Sequence, residues 1–244
     1  MKKILLLTIF LFLFLTLINS YKDNSLSVME DDYDDIKYVA FTFDDGPTEY
    51  TDELLDELKE RKANVTFFLL GCQCEKYPQT LKRFVDEGHE IGNHGYDHQI
   101  LSKLKQDEIE FQINNTNAII KNITGVEPKL LRPAYGIYND KMLEYIKMPI
   151  ILWSIDTKDW KVRNSKTIYQ RNIDKIKDGD IILFHDKFRS SIKAALMLID
   201  ELKEDGYEFL TVSELAQIKG INLNEHKEHF NFSNPTLKTY HECP

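Results

Sequence analysis

The chain has 244 residues, a formal net charge of −9, and 42% hydrophobic and 29% charged residues. This length suits one sizeable domain, and the composition is that of a globular protein rather than a disordered or fibrous one. The acidic balance argues against a nucleic-acid partner, because phosphate binding requires clustered lysine and arginine, whereas a neutral or cationic ligand is compatible with it.

The N-terminus has the pattern of an export signal. Two lysines precede an apolar run over 4–18, and Ser20 is a small residue near a plausible cleavage point. The run is short for a membrane span, which needs about 20 residues. We therefore predict a signal peptide over 1–20, with an uncleaved anchor as the alternative, and no stable membrane insertion after its removal. Residues 21–36 are acidic without apolar periodicity and are predicted to form a flexible leader.

Apolar, β-branched segments alternate with segments of helical periodicity along the rest of the chain. The predicted strands cover 38–43, 65–70, 90–92, 129–131, 150–155, 180–184 and 209–212. The predicted helices cover 51–62, 80–87, 106–122, 140–147, 165–177, 191–204 and 213–219. This alternation predicts parallel strands wrapped by helices, in a barrel or an open α/β sheet, within a single domain over 37–219. Residues 220–244 are polar and weakly periodic, and we expect an extended tail there.

The cysteines of the chain are Cys72, Cys74 and Cys243. Export permits disulfides, and Cys72 and Cys74 are too close in sequence to bridge each other comfortably. One of them could pair with Cys243 and attach the tail to the domain, whereas the alternative is three free thiols.

Polar side chains that can carry chemistry follow several of the predicted strands. They are Asp44, Asp45, His94, His98, Arg132, Asp156, Asp159 and His185. Because chemistry on parallel α/β folds takes place at the C-terminal ends of the strands, we expect these residues to surround one site. Taken singly, each has a structural interpretation, such as an acidic turn, a core-edge histidine or a surface salt bridge.

The spacing of His94 and His98 suits a metal site. Residues four apart share a face on a helical turn, which would aim two imidazoles at one ion. Adding Asp45 gives two imidazoles and a carboxylate, and three protein ligands with one open position are typical of a catalytic metal. Such a ligand set accepts zinc, cobalt and other divalent cations.

The same strand ends suggest two further pairs. Arg132 could hold the carboxylate of Asp44 through a bidentate contact. Asp156 could orient His185, since hydrolases often use a carboxylate to hold an imidazole. The alternatives are a surface salt bridge for Arg132 and a core-edge position for His185.

Five short motifs, in this order, resemble those of the NodB-type polysaccharide deacetylases, the fourth carbohydrate esterase family. They read T-F-D-D-G-P at 42–47, H-G-Y-D-H at 94–98, R-P-A-Y-G at 132–136, D-T-K-D-W at 156–160 and L-F-H-D at 183–186. The resemblance extends over 38–215, and the order of the motifs carries it more than any single motif does.

The resemblance implies an α/β fold, in the form of an irregular (β/α) barrel, and a site with assigned roles. The implied metal ligands are Asp45, His94 and His98, which would bind a divalent cation, usually zinc. The implied catalytic residues are Asp44 as general base, Arg132 as its partner, His185 as general acid, Asp156 as the residue that tunes His185, and Tyr135, whose backbone N–H would donate to the oxyanion. Trp160 and Leu183 would line the pocket for the acetyl methyl beside Tyr135.

Two positions depart from the family pattern. Gly95 stands where serine or threonine is usual, which removes a hydroxyl bond from the histidine loop and adds backbone freedom. Ala134 stands where proline is common, in the loop that carries Tyr135. Neither change removes a ligand or a catalytic group, so we expect activity, at a reduced level if these loops are loosened.

The activity implied by the resemblance is hydrolysis of N-acetyl groups from N-acetylglucosamine units of a wall polysaccharide, chitin or peptidoglycan, with release of acetate outside the cell. No long insertion separates the predicted elements, and the open groove that this implies favours a polymeric glycan. Two alternatives stay open: a catalytically weak glycan-binding or coat protein that keeps the fold, and a deacetylase of small molecules or acetylated xylan. We expect a monomer.

Overall fold

The computed structural model describes residues 36–224 and 227–232. The predicted signal peptide, almost all of the acidic leader, and residues 233–244 with Cys243 lie outside the described residues. Within the described ranges, no helix combines the length and the apolar character that a membrane crossing requires.

Parallel strands form the framework of the described chain. They are β1 (Lys37–Asp44), β2 (Thr66–Leu69), β3 (Glu90–Asn93), β4 (Ile150–Ile151), β5 (Ile155–Asp156), β6 (Ile181–His185), β7 (Tyr207–Phe209) and β8 (Glu228–His229). β1 is the central strand, because β2 and β6 both pair with it in parallel and β7 pairs with its first residues. β3 extends the sheet beyond β2, and β5 extends it beyond β6.

The strands close into a ring through irregular steps. Leu131 forms parallel bridges to Asn93 at the end of β3 and to Ile150 in β4. β5 follows β4 in the chain and pairs with β6. The ring thus runs from β1 through β2, β3, Leu131, β4 with β5, and β6 back to β1, which confirms the irregular barrel. The strand predicted over 129–131 is reduced to one bridging residue.

A buried side chain accompanies the break between β4 and β5, which the sequence predicted as one strand over 150–155. The carbonyl oxygens of Ile151 and Leu152 accept hydrogen bonds from Nε and Nη2 of Arg132, at 3.0 and 2.8 Å. These contacts take the place of a continuous ladder at this point. The irregularity of the barrel is therefore tied to the arginine of the third motif.

Helices surround the barrel in the described part of the chain. They are α1 (Thr51–Glu60), α2 (Gly71–Cys74), α3 (Pro78–Asp86), α4 (Gln106–Thr124), α5 (Asp140–Leu143), α6 (Asp159–Val162), α7 (Ser165–Asn172), α8 (Arg189–Glu204) and α9 (Val212–Ile218). The sequence did not predict α2 and α6, because a single helical turn is too short to show a period. The strand predicted at 209–212 ends at Phe209, since the Thr211 side chain accepts from the N–H of Glu214 and caps α9.

Cys72 and Cys74 lie in α2. Among the described residues both are free thiols; Cys74 is buried and Cys72 is partly exposed. Cys243, with which one of them could pair, lies outside the described residues, so that disulfide stays a prediction.

The wall of the barrel is aromatic at its centre. Every residue of β1 from Val39 to Asp44 is buried, as expected for a parallel strand that is covered on both faces. The ring of Phe43 stacks on Phe67 of β2 and on Phe184 of β6, with centroids 5.4 and 5.7 Å apart. This packing holds the three strands together and so positions the strand ends that carry the polar motifs.

The predicted polar tail is wrong for residues 227–232, which belong to the domain. β8 pairs with β4, and Phe232 is 2% exposed. The backbone N–H of Phe232 donates to the carbonyl of Gly179 at 2.7 Å, and Asn231 bridges Asp180 just before β6. A strand of two residues carries too little pattern to be detected in a sequence.

Candidate active site

Asp44 and Asp45 are adjacent, yet both carboxylates lie at the end of β1. Asp44 is the last residue of the strand, and Asp45 has a φ of 73°, in the left-handed region. The chain therefore turns at Asp45 itself, directly before Gly46 and Pro47. Asp44 is 2% and Asp45 is 6% exposed, so both carboxylates require partners.

Arg132 is wholly buried and is the partner of Asp44. Its Nη1 donates to Asp44 Oδ1 and to Thr42 Oγ1, both at 2.7 Å. Its Nε and Nη2 donate to the carbonyls of Ile151 and Leu152, and its Cζ lies 4.0 Å from the centre of the Phe68 ring. The predicted pair is present, but it is not bidentate: Arg132 contacts one oxygen of Asp44, and Oδ2 stays available.

The three predicted metal ligands converge. One ligand atom from each of Asp45, His94 and His98 lies within 4.8 Å of the others. Asp45 Oδ1 is 3.5 Å from Nε2 of His94 and 3.3 Å from Nε2 of His98, and it is buried without a hydrogen-bond partner among the described residues. A buried carboxylate oxygen that faces two imidazole nitrogens is the arrangement that a divalent cation would satisfy.

The protonation of His94 supports the same conclusion. Its Nδ1 lies 2.6 Å from the carbonyl oxygen of Arg132. Because a carbonyl only accepts hydrogen bonds, Nδ1 carries a hydrogen, and Nε2 is the nitrogen that faces Asp45 and would bind a cation. Burial alone would raise the pKa of Asp45, but His94 and the ammonium of Lys187 outweigh it and hold that pKa well below its usual range. The ligand set therefore fits a cation.

The segment that carries the two histidines is a loop and not the helical turn that their spacing suggested. Gly95 has a φ of 84° and His98 a φ of 65°. The N–H of Gly95 donates to Asn93 Oδ1 at 2.7 Å, and Oε1 of the buried Gln112 accepts from the N–H of Tyr96 at 2.7 Å. The loosening expected from Gly95 is thus offset by side-chain amides that hold the loop.

His185 pairs with Asp159, and the predicted pairing with Asp156 is wrong. Asp159 Oδ1 is 2.9 Å from His185 Nδ1, and Asp159 Oδ2 accepts from the backbone N–H of His185 at 2.8 Å. Asp156 instead accepts from the backbone N–H and from Nζ of Lys158, at 2.8 and 2.7 Å. Both aspartates belong to one motif, and the helical turn of α6 brings Asp159, but not Asp156, into contact with His185.

The surroundings of His185 favour the protonated form of its imidazole. Burial alone would lower the pKa of the imidazole, but the hydrogen bond and charge of Asp159 outweigh it, with further help from Asp44 and Asp45. The pKa of His185 is therefore raised above its ordinary value. An imidazole at a strand end with a raised pKa can serve as a proton donor near neutral pH.

The residues predicted to contact substrate differ in their exposure to solvent. Tyr135 has a φ of 60° and is 61% exposed, with its ring centre 4.5 Å from that of His98. Its backbone N–H donates to no acceptor within the described part of the chain. Trp160 is 44% exposed, whereas Leu183 is 3% exposed within β6.

Sequence reasoning missed Lys187 and Gln112. Nζ of Lys187 donates to Asp45 Oδ2, which leaves Oδ1 facing the histidines. Lys187 directly follows the L-F-H-D motif, so its place after a strand end was a signal that could have revealed it. Gln112 lies in the middle of α4, where nothing in the sequence separates it from other buried helix residues.

Comparisons with known proteins place these features in a family. Residues 31–148 match the sequence model of the family described as polysaccharide deacetylase. The chain is 45% identical over 184 residues to the peptidoglycan-N-acetylmuramic acid deacetylase PdaC of Bacillus subtilis, covering 75% of this chain and 39% of that protein. It is 38% identical over 192 residues to a peptidoglycan-N-acetylglucosamine deacetylase of Bacillus cereus, covering 75% of this chain and 90% of that protein. The chain thus spans about two fifths of PdaC and most of the second relative.

Solved structures share the fold. A structure described as T48 deacetylase with substrate matches with a TM-score of 0.77 and 43% identity, covering 80% of this chain and 96% of that one. A family 4 acetyl xylan esterase from Clostridium thermocellum, in complex with a cobalt ion, matches with a TM-score of 0.77 and 29% identity, covering 81% of this chain and 100% of that one. With its motifs at the strand ends of one irregular barrel, this chain belongs to the NodB-type polysaccharide deacetylases of carbohydrate esterase family 4.

Proposed function

We propose that this protein is a metal-dependent deacetylase that removes the acetyl group from an amino sugar of peptidoglycan and releases acetate. One observation carries the proposal: the same strand ends carry the Asp45, His94 and His98 cluster, a buried carboxylate held by Arg132 and an imidazole held by Asp159. A metal site, a candidate base and a candidate acid are the groups that metal-dependent amide hydrolysis requires.

Asp45, His94 and His98 would hold the divalent cation. Zinc is our first assignment and cobalt the second, because two imidazoles and a carboxylate accept both, and the related acetyl xylan esterase structure is a cobalt complex. When bound, such a cation polarises the amide carbonyl and lowers the pKa of a nearby water.

Asp44 is assigned as the general base. Arg132 holds its Oδ1, and Oδ2 lies 3.6 Å from Nε2 of His94, beside the ligand cluster. The free oxygen is therefore positioned to take the proton of a water that attacks the acetyl carbon. The buried guanidinium keeps the carboxylate in place and compensates its charge.

The remaining steps fall to Tyr135 and His185. The backbone N–H of Tyr135 would donate to the oxyanion, a contact of the kind whose loss costs about 3–4 kcal/mol in other hydrolases. His185, held by Asp159, would then give its proton to the departing amine, which leaves poorly without one. Trp160 and Leu183 are assigned to the pocket for the acetyl methyl.

The relatives favour peptidoglycan over chitin as the substrate, since the two proteins compared above are both named peptidoglycan deacetylases. The apolar N-terminal run supports export, and we place the activity on the outer side of the membrane, at the wall. Acetylated xylan stays in the test because an acetyl xylan esterase has the same fold.

The test combines metal content with acetate release. We expect one divalent cation per chain and acetate from peptidoglycan fragments, with activity lost in chelator and restored by zinc or cobalt. His94→Ala should lose both metal and activity, whereas Asp44→Asn should keep the metal and lose turnover. Full activity in Asp44→Asn would refute the base assignment. Bound metal without acetate from peptidoglycan, chitin oligomers or acetylated xylan would favour the glycan-binding alternative.

A further inference from the structure

One side of the barrel mouth is basic in a chain whose net charge is −9. Exposed cations occupy the segments after β5 and β6: they are Lys158, Lys161, Arg163, Lys187 and Arg189. Lys158 is paired with Asp156 at 2.7 Å, Arg189 with Glu53 at 2.8 Å, and Lys187 with Asp45. Arg163 and Lys161 have no carboxylate partner in the described part of the chain.

Arg163, unlike Lys161, is held in place. Its Cζ lies 3.1 Å from the centre of the Phe188 ring, and its Nε donates to the carbonyl oxygen of Trp160 at 2.8 Å. The stacking fixes the guanidinium plane, and the Nε bond fixes its rotation. Both terminal nitrogens are left for a ligand, so the fork that matches a carboxylate is already oriented before binding.

The supports of Arg163 connect it to the catalytic groups. Trp160, which accepts from its Nε, follows Asp159, the residue that holds His185. Phe188, which packs on its guanidinium, follows Lys187, the residue that donates to Asp45. Arg163 therefore rests on the two segments that also hold the candidate acid and contact a candidate metal ligand.

Peptidoglycan offers a carboxylate close to an acetyl group, and a neutral polymer of N-acetylglucosamine does not. In N-acetylmuramic acid the carbon next to the one bearing the acetamido group carries a lactyl ether, which ends in a carboxylate or continues into a peptide with carboxylates of its own. We propose that Arg163 binds a carboxylate of the lactyl ether or of the attached peptide and makes the site selective for muramic acid-containing glycans. The inference rests on the proposed function and specifies its substrate.

The experiment compares the unaltered protein with Arg163→Gln on three substrates of equal length, with zinc bound. They are a peptide-free glycan containing N-acetylmuramic acid, the same glycan bearing its peptide, and a chitin oligomer. We expect the kcat/KM ratio of muramic acid-containing to neutral substrate to fall roughly tenfold or more, mainly through KM. A fall with the peptide-free glycan identifies the lactyl carboxylate, and a fall confined to the peptide-bearing glycan identifies the peptide.

Lys161→Gln is the matched control, because it removes an exposed cation from the short helix that Arg163 directly follows, without touching Phe188 or Trp160. We expect it to leave the substrate ratio unchanged, and Arg163→Lys to restore only part of it, since lysine keeps the charge without the fork. An equal loss on all three substrates, an unchanged ratio in Arg163→Gln, or the same loss in Lys161→Gln would overturn the proposal.

A binding measurement separates this proposal from the proposed function. Calorimetry of the Asp44→Asn protein, with and without Arg163→Gln, should show weaker binding of the muramic acid-containing glycan in the double variant. If the unaltered protein releases no acetate from any substrate, the proposed function fails. If Asp44→Asn and the double variant bind the muramic acid-containing glycan with equal affinity, the carboxylate site at Arg163 is overturned.

Discussion

Asp156 and Asp159 stand three positions apart in one motif and have different surroundings. Asp159 is wholly buried, and both its oxygens contact His185. Asp156 faces solvent in part and binds Lys158. A carboxylate in contact with an imidazole stabilises the imidazolium, so only Asp159 is placed to control the proton of the candidate acid.

Asp159→Asn should therefore lower the pKa of His185, which Asp159 now raises. A general acid works only while protonated, so the alkaline limb of the kcat/KM profile should move to lower pH. Asp156→Asn is the matched control and should leave that limb in place. The measurement is acetate release against pH for the three proteins, and a shift in Asp156→Asn alone would reverse the assignment.

At the scale of elements, the histidine loop depends on a helix that supplies no ligand. Gln112 of α4 accepts from the N–H groups of Tyr96 and Asp97, at 2.7 and 3.3 Å, and donates to Asp97 Oδ1 at 2.7 Å. A Cβ on Gly95 would lie 3.2 Å from Gln112 Oε1. The glycine and the glutamine therefore fit each other, and the glutamine holds the loop between His94 and His98.

Gln112→Ala should weaken zinc binding by roughly tenfold, as loss of groups that orient metal ligands does in other sites. The reason is that three polar contacts that hold the loop disappear while all three ligands remain. Competition with a chelator measures the affinity, and circular dichroism checks the fold. Asn114→Ala, an exposed amide on the same helix, is the control; equal affinities in both variants would show that the loop holds itself.

At the scale of the whole molecule, the barrel is completed by residues far along the chain. The N–H of Leu152 donates to the carbonyl of His229 at 2.8 Å, and its carbonyl accepts from Arg132. β8 and Phe232 therefore support the part of the ring where β4 and β5 are interrupted. Arg132 therefore links the site at one end of the barrel to β8 in the barrel wall.

Phe232→Ala should lower the free energy of unfolding by about 3–5 kcal/mol, the usual cost of removing a buried phenylalanine ring. Denaturant unfolding measures the change. Phe111→Ala, which truncates a ring that is 52% exposed, should cost far less. Similar small losses in the two variants would mean that residues 227–232 contribute little to the stability of the domain.

Much of the fold was predictable from local patterns. Buried apolar runs such as 38–43 show a parallel strand, and the polar residues directly after them show where a barrel gathers its chemistry. The cluster of Asp45, His94 and His98 and the contact of Arg132 with Asp44 followed from that placement. Both predictions depend on which residues follow each strand and on their types and spacing, which the sequence reveals.

The sequence by itself thus determined the alternation of strands and helices, the strand ends and the residue types that surround the site. Only the tertiary structure decided that Asp159 rather than Asp156 reaches His185, that the histidines lie on a loop, and that Lys187 and Gln112 support the ligands. These outcomes depend on left-handed turns and on contacts between distant segments. Local periodicity predicts neither of them. The partners of these hydrogen bonds lie on segments that are distant in the chain and that come together only when the barrel closes.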